Sequence, residues 1–305
     1  MATRKVLIGG GTGFIGSNLG ELLGTKGYNV VNITRMPGAN NISWNTLEQS
    51  GLPLRSCAVV NLAGQQFMDF TKSWTPGFKQ NVQNSRVYTT RALASAINKC
   101  LDKPKVFVVV TGVGAYEPSE YNKYDESSPT TGIDFFSRLT VEWEKAAKVD
   151  PPVRLVIIRS GAVLGRWGGM IKNMFLPFYF GFGGRIGSGK QYLPWIHIED
   201  LTRLILFAIE NEKVHGVLNG VSPQVITNND FTHSFAKALG RPAFLPVPEP
   251  ILNLLLNRER AMIMTKGQYV IPKRVQEFGF RYKYDNIDEA CKEFAHLWPK
   301  KHPLK

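Results

Sequence analysis

Ile8-Gly9-Gly10-Gly11-Thr12-Gly13-Phe14-Ile15-Gly16 sets Gly10, Gly13 and Gly16 three residues apart. The apolar run Lys5-Val6-Leu7-Ile8 precedes them, and Ile15, Leu19, Leu22 and Leu23 follow at helical spacing. Glycine at these points allows a tight turn, close approach of a pyrophosphate and close helix-to-strand packing, while the helix N-terminus offers unpaired N–H groups to phosphate. A glycine run alone says only that the chain turns; the strand before it and the helix after it make a dinucleotide-binding motif. A second strand, Asn29 to Thr34, ends in Ile33-Thr34-Arg35, where an acidic residue would accept the ribose 2′-OH of NAD. Arg35 suits a 2′-phosphate instead, so NADP is the expected cofactor; the alternative is an ordinary solvated arginine.

Other chemistries find no footing. Gly184-Arg185-Ile186-Gly187-Ser188-Gly189-Lys190 fits G-x-x-x-x-G-K, yet Gln191 stands where a P-loop needs Ser or Thr, and no strand precedes it. The five histidines (197, 215, 233, 296 and 302) lack metal-ligand spacing, and no Gly-x-Ser-x-Gly elbow occurs. Cys57, Cys100 and Cys291 are far apart and odd in number, which suggests neither a disulfide framework nor a zinc site and fits a reducing compartment.

The elements that must position the glycine motif alternate. Ala58 to Ala63, Lys105 to Thr111 and Val153 to Ile158 read as strands apolar on both faces, with helical spacing in Lys79 to Cys100 and Phe135 to Lys148. Right-handed crossovers then give an α/β fold, a Rossmann-type doubly wound parallel sheet. After Gly240, Pro242, Pro246, Pro248 and Pro250 break the pattern, and helical stretches follow at Ile251 to Asn257 and Asp288 to Leu297. The expected division is a nucleotide-binding domain over 1–240 and a small, mainly helical C-terminal domain over 241–305. Gly168 to Leu193 is expected to fold against that unit, with 169–193 forming part of a substrate cleft.

The composition, 305 residues with 43% hydrophobic and 20% charged, is that of a folded protein with a real core. The most apolar later stretch, Met174 to Gly184, is far short of the roughly 20 residues that span a bilayer. The net charge of +13 is scattered apart from a Pro299 to Lys305 tail, which favours small anionic ligands over a nucleic-acid face. Met1 to Lys5 leave no room for a signal or transit peptide, so the cytosol is expected, with the mitochondrial matrix the alternative at a pI near 9.6.

The glycine motif, Asn61-Leu62-Ala63-Gly64 and Pro194-Trp195-Ile196-His197-Ile198-Glu199-Asp200-Leu201 together resemble the extended short-chain dehydrogenases/reductases. Ser85-Arg86, Arg159-Ser160-Gly161, Gly183 to Gly189 and Ile271-Pro272-Lys273-Arg274 look like the SDR39U1-type branch of the epimerase-family proteins, and the resemblance runs from about Lys5 to Trp298. It implies that Gly10, Thr12, Gly13, Phe14, Ile15 and Gly16 hold the pyrophosphate, Thr34 and Arg35 the 2′-phosphate, and Leu62 and Ala63 the adenosine end. Asn81 and Arg86 are implied as polar contacts from the following helix, against a reading as solvated positions.

One departure matters. The superfamily's Tyr-x-x-x-Lys pair, which transfers a proton, is absent: alignment on Ser137 and Glu142 puts Asp134 in place of the tyrosine and Arg138 in place of the lysine. Thr111 occupies the place of the superfamily's Ser/Thr, whose hydroxyl holds a substrate carbonyl or carbinol oxygen. Tyr116 is the candidate substitute acid, against a packing role; His197, before Glu199-Asp200, reads as structural. The expected function is an NADP(H)-dependent oxidoreductase or nucleotide-sugar-epimerase-like enzyme acting on an unidentified small molecule. The alternative is a catalytically degenerate NADP(H)-binding sensor or assembly protein with a protein partner.

Overall fold

The computed structural model describes residues 4–35, 38, 41–69 and 71–297; the basic tail lies outside them. In chain order the elements are β1 (Lys5–Gly9), α1 (Phe14–Thr25), β2 (Asn29–Thr34), β3 (Asn41–Ser43), α2 (Trp44–Ser50), β4 (Ser56–Asn61), α3 (Pro76–Lys99) and β5 (Val106–Gly112). There follow β6 (Lys123–Tyr124), α4 (Phe135–Ala146), β7 (Arg154–Ser160), β8 (Ala162–Leu164), α5 (Gly169–Tyr179), β9 (Trp195–His197), α6 (Ile198–Glu210) and β10 (Gly216–Gly220). The chain continues through α7 (Asn228–Leu239), α8 (Glu249–Leu256), α9 (Arg258–Thr265), β11 (Tyr269–Val270), α10 (Lys273–Glu277) and α11 (Ile287–Phe294).

Seven parallel strands form one sheet in the order β10-β7-β5-β4-β1-β2-β3. Alternate residues of the central strands serve opposite cores, as the period of two requires. Val6, Ile8, Val60, Val108 and Val110 pack with Leu19 and Leu23 of α1 and Leu201, Leu204 and Ile205 of α6. Leu7, Val59, Phe107 and Val109 pack with Val82, Leu93 and Ile97 of α3 and Leu139 and Trp143 of α4. Burial on both faces is why these strands are apolar throughout.

The strand order reverses between β1 and β4, which opens a crevice at their C-terminal ends, the usual ligand position in such sheets. The third core joins α5, α7 and α11: Phe175, Phe178, Phe231, Phe235 and Phe294 are all buried there. Residues 168–193 thus begin with a helix and continue as a loop that runs beside 245–247, where Leu245 N donates to Gly183 O and Val247 N to Arg185 O. Among the described residues, no helix is long and apolar enough to cross a membrane.

Candidate functional site

At the end of β1, Gly10 has φ +75°, and a Cβ there would lie 2.9 Å from the Ala63 backbone, so the loops after β1 and β4 touch only because Gly10 has no side chain. Gly10 N donates to Ile33 O at 3.0 Å and Gly10 O accepts from Gly13 N at 3.0 Å. A Cβ on Gly16 would come within 2.5 Å of Gly10 O, which fixes how closely α1 packs on this loop. Gly13 caps α1 without a side-chain bond, and its first turn contains no acidic residue. The N–H groups and positive dipole end of α1 therefore remain for an anion at the crevice.

Thr12 is exposed. The Phe14 ring packs on the loop before α5, where a Cβ on Gly168 would meet it at 2.1 Å, and Ile15 packs against the first core. Phe14 and Ile15 carry no polar side-chain atom, so a phosphate could meet only their backbone N–H groups. Thr34 is buried at the end of β2 and Arg35 beyond it is exposed, with no carboxylate among Ile33, Thr34 and Arg35.

Across the crevice, Leu62 N donates to Gly9 O at 2.8 Å and Ala63 N to Asn61 Oδ1 at 3.0 Å. Asn61 is held in turn by Thr90, which also accepts from Trp143 Nε1 at 2.7 Å. Arg86 lies beside this turn, 8% exposed, its guanidinium over the rings of Phe67 and Trp143 and 3.1 Å from where a Gly64 Cβ would stand. It donates to Val82 O and Ser85 Oγ but forms no ion pair among the described residues, and burial pushes its pKa down to about 10. A buried cation without a counter-charge is costly and calls for an anion. Asn81 is exposed, about 140° round the helix from Arg86, so the two do not converge.

Thr111, Arg159 and Asn219 are paired across β5, β7 and β10 at one level of the sheet. The Thr111 hydroxyl donates to Glu144 Oε1 at 3.2 Å; Arg159 grips the same carboxylate through Nε at 2.8 Å and Nη2 at 2.7 Å. Burial works against the Arg159 charge, but the hydrogen bonds and charge of Glu144 outweigh it and drive its pKa up. Tyr116, the candidate substitute acid, is packed in this structure as the alternative reading has it. It is fully buried, with its hydroxyl 2.8 Å from Asn219 Oδ1 and 3.0 Å from Asp125 O, stacked on Tyr124 and raised in pKa by burial.

The residues in place of Tyr-x-x-x-Lys have structural employment. Asp134 and Ser137 form a capping box at the start of α4, and Arg138 Nη1 donates to Ile133 O at 2.9 Å. His197 Nδ1 accepts from Glu199 N, which leaves Nε2 to donate to Glu293 at 3.1 Å; the ring is 2% exposed against Tyr284. In the 184–190 loop Ile186 N donates to Asn228 Oδ1 and Gly187 N to Val247 O. Among the described residues, no group of three or more His, Cys, Asp or Glu is placed to hold a metal ion.

Two surface grooves lie elsewhere. One of about 550 Å³ runs between α3 and α4 past Arg91 and Lys145, and one of about 430 Å³ runs beside α7 past His233 and Asp288. Neither is lined by the glycine loop. Glu144 and Asn219 escape motif reading, and Arg159 enters it only as part of a family pattern. The available signal is an arginine ending the buried strand Val156-Ile157-Ile158, since such a charge must find a carboxylate on a covering helix.

The crevice at the strand reversal, its glycine loop and its uncapped helix define a dinucleotide-binding Rossmann protein. The NAD dependent epimerase/dehydratase family matches residues 6–219, and a domain of unknown function, DUF1731, matches residues 247–294. The human epimerase family protein SDR39U1 is 46% identical over 95% of this chain and 99% of its own; the chloroplastic homologue of Arabidopsis thaliana is 36% identical over 94% and 85%. The crystal structure of the human protein with NADPH superposes with a TM-score of 0.94 at 46% identity, covering 96% of this chain and 99% of that one. A UDP-glucose 4-epimerase from Thermotoga maritima, 17% identical at TM-score 0.75 over 96% and 97% of the two chains, shares the fold. The chain belongs to the NAD dependent epimerase/dehydratase family, in its SDR39U1 branch.

Proposed function

We propose that the protein binds NADP(H) and acts as an oxidoreductase or a nucleotide-sugar-epimerase-like enzyme on a small molecule. The observation that carries this reading is Arg35, exposed at the end of β2 beside the glycine loop, where NAD recognition calls for a carboxylate. The human relative's NADPH supports it. The α1 N-terminus with Gly10, Thr12, Gly13, Phe14, Ile15 and Gly16 would hold the pyrophosphate, Thr34 and Arg35 the 2′-phosphate, and Leu62 and Ala63 the adenosine end. Arg86 would supply the counter-charge to a phosphate, and Asn81 an outer contact. The dinucleotide supplies hydride chemistry when bound; Thr111 would position the substrate oxygen, with residues 169–193 and the unit from 241 onward bounding the substrate side. The cytosol is the proposed compartment, with the mitochondrial matrix as the alternative.

The second reading, an NADP(H) sensor or assembly partner, is favoured by one observation: Asp134, Arg138 and Tyr116 are all committed to structural bonds. Substrate screening with NADPH, followed by its absorbance, separates the two. Turnover lost in Thr111→Val supports the enzyme. A protein complex that responds to NADPH, with cellular function intact in Thr111→Val, supports the sensor.

A further inference from the structure

Thr111, next to last in β5, has its proton already directed. Its Oγ1 donates to Glu144 Oε1 at 3.2 Å, and Arg159 holds both oxygens of that carboxylate from the neighbouring strand. The pair is 6% and 13% exposed at its Arg159 and Glu144 side chains, so water does little to loosen it. A hydroxyl has one proton and two lone pairs, and an ionised carboxylate only accepts. With its proton turned toward α4, Thr111 has lone pairs alone to present to the crevice. The other hydroxyl in this array, that of Tyr116, lies against two acceptors, Asn219 Oδ1 and Asp125 O.

We infer that Thr111 is an acceptor-only contact, that Glu144 is the positioning residue that makes it so, and that the substrate group bound there is a hydroxyl rather than a ketone or aldehyde. The inference rests on the reading of the β5 end as the substrate side of the dinucleotide crevice, and it narrows that reading to alcohols. Arg159 belongs to the device because its two hydrogen bonds hold the Glu144 carboxylate in one orientation, with both oxygens accepting.

Cyclohexanol and cyclohexanone, which differ in this donor, are titrated by saturation-transfer NMR into the full-length protein with and without NADPH. The expected result is cyclohexanol bound about fivefold more tightly, the size of one modest hydrogen bond. Thr111→Ser retains the preference, and Thr111→Val brings it below twofold. Glu144→Met with Arg159→Met, which removes both charges and frees the hydroxyl, also brings it below twofold. Equal or tighter binding of the ketone, a preference that survives Thr111→Val, or failure of both probes to bind overturns the inference. NADPH affinity is read on the same samples. Loss of nucleotide binding with the alcohol preference intact removes the nucleotide reading alone, whereas NADPH binding with a ketone preference removes this inference alone.

Discussion

Arg159 holds Glu144 through two hydrogen bonds of 2.8 and 2.7 Å, strand to helix, and is paired in register with Thr111 on the neighbouring strand. A buried pair of this kind is conditional: each charge is tolerable only while the other is present. Glu144→Ala is expected to cost about 3–5 kcal/mol of stability, while Glu144→Met with Arg159→Met stays within about 1–2 kcal/mol of the wild type or exceeds it. Urea denaturation of the two variants measures the difference.

Arg86 is the opposite case, a buried cation with no ion-pair partner among the described residues. Arg86→Met is expected to raise the thermal midpoint of the nucleotide-free protein and to weaken NADPH by at least about tenfold, which is about 1.4 kcal/mol. Thermal melts with and without NADPH check both. An unchanged NADPH affinity removes Arg86 from the site.

Asp134 stands in place of the superfamily tyrosine, and its carboxylate caps α4 through Ser137 N at 2.8 Å. Asp134→Ala is expected to lower stability by about 1 kcal/mol and to leave NADPH affinity unchanged. Parallel denaturation and nucleotide titration test this, and a lost nucleotide site with stability intact contradicts it.

Glu259 ties α9 to the start of α3 by accepting from Trp74 Nε1, just before that helix, and pairing with Lys79 in its first turn. The Lys79 hydrogen bond, ahead of opposing burial, lowers its pKa below the usual 4.5. A depressed carboxyl contributes stability that is present above the unfolded value and lost as pH falls through the folded one. Glu259→Gln is therefore expected to be less stable than the wild type above about pH 4.5. The gap should close on further acidification, as read from urea midpoints at a series of pH values.

The fold was legible wherever hydrophobic period and punctuation agreed. The strands at Asn29 and Val106, the start of α1 at Phe14 and the start of α4 at Phe135 all follow from such patterns. The α5 helix did not show itself, because Met170 to Phe182 is apolar on nearly every side and carries Pro177, so no amphipathic stripe marks it. The glycine loop was legible because its role depends on backbone, which glycine spacing reports directly. The Thr111–Glu144–Arg159 array was not: it joins residues 33 and 15 positions apart whose contact depends on sheet register and on which face of α4 turns inward. The packing partner of Tyr116 was hidden for the same reason, since nothing near it in sequence announces Asn219, 103 positions away.

The central claim is a 2′-phosphate-selective dinucleotide site, and calorimetric titration of the nucleotide-stripped protein with NADPH and NADH, beside Arg35→Ala, tests it most directly. The account predicts NADPH tighter than NADH by at least about tenfold, with Arg35→Ala weakening NADPH and sparing NADH. Equal affinities in the wild type, or a selectivity that survives the loss of Arg35, would contradict it.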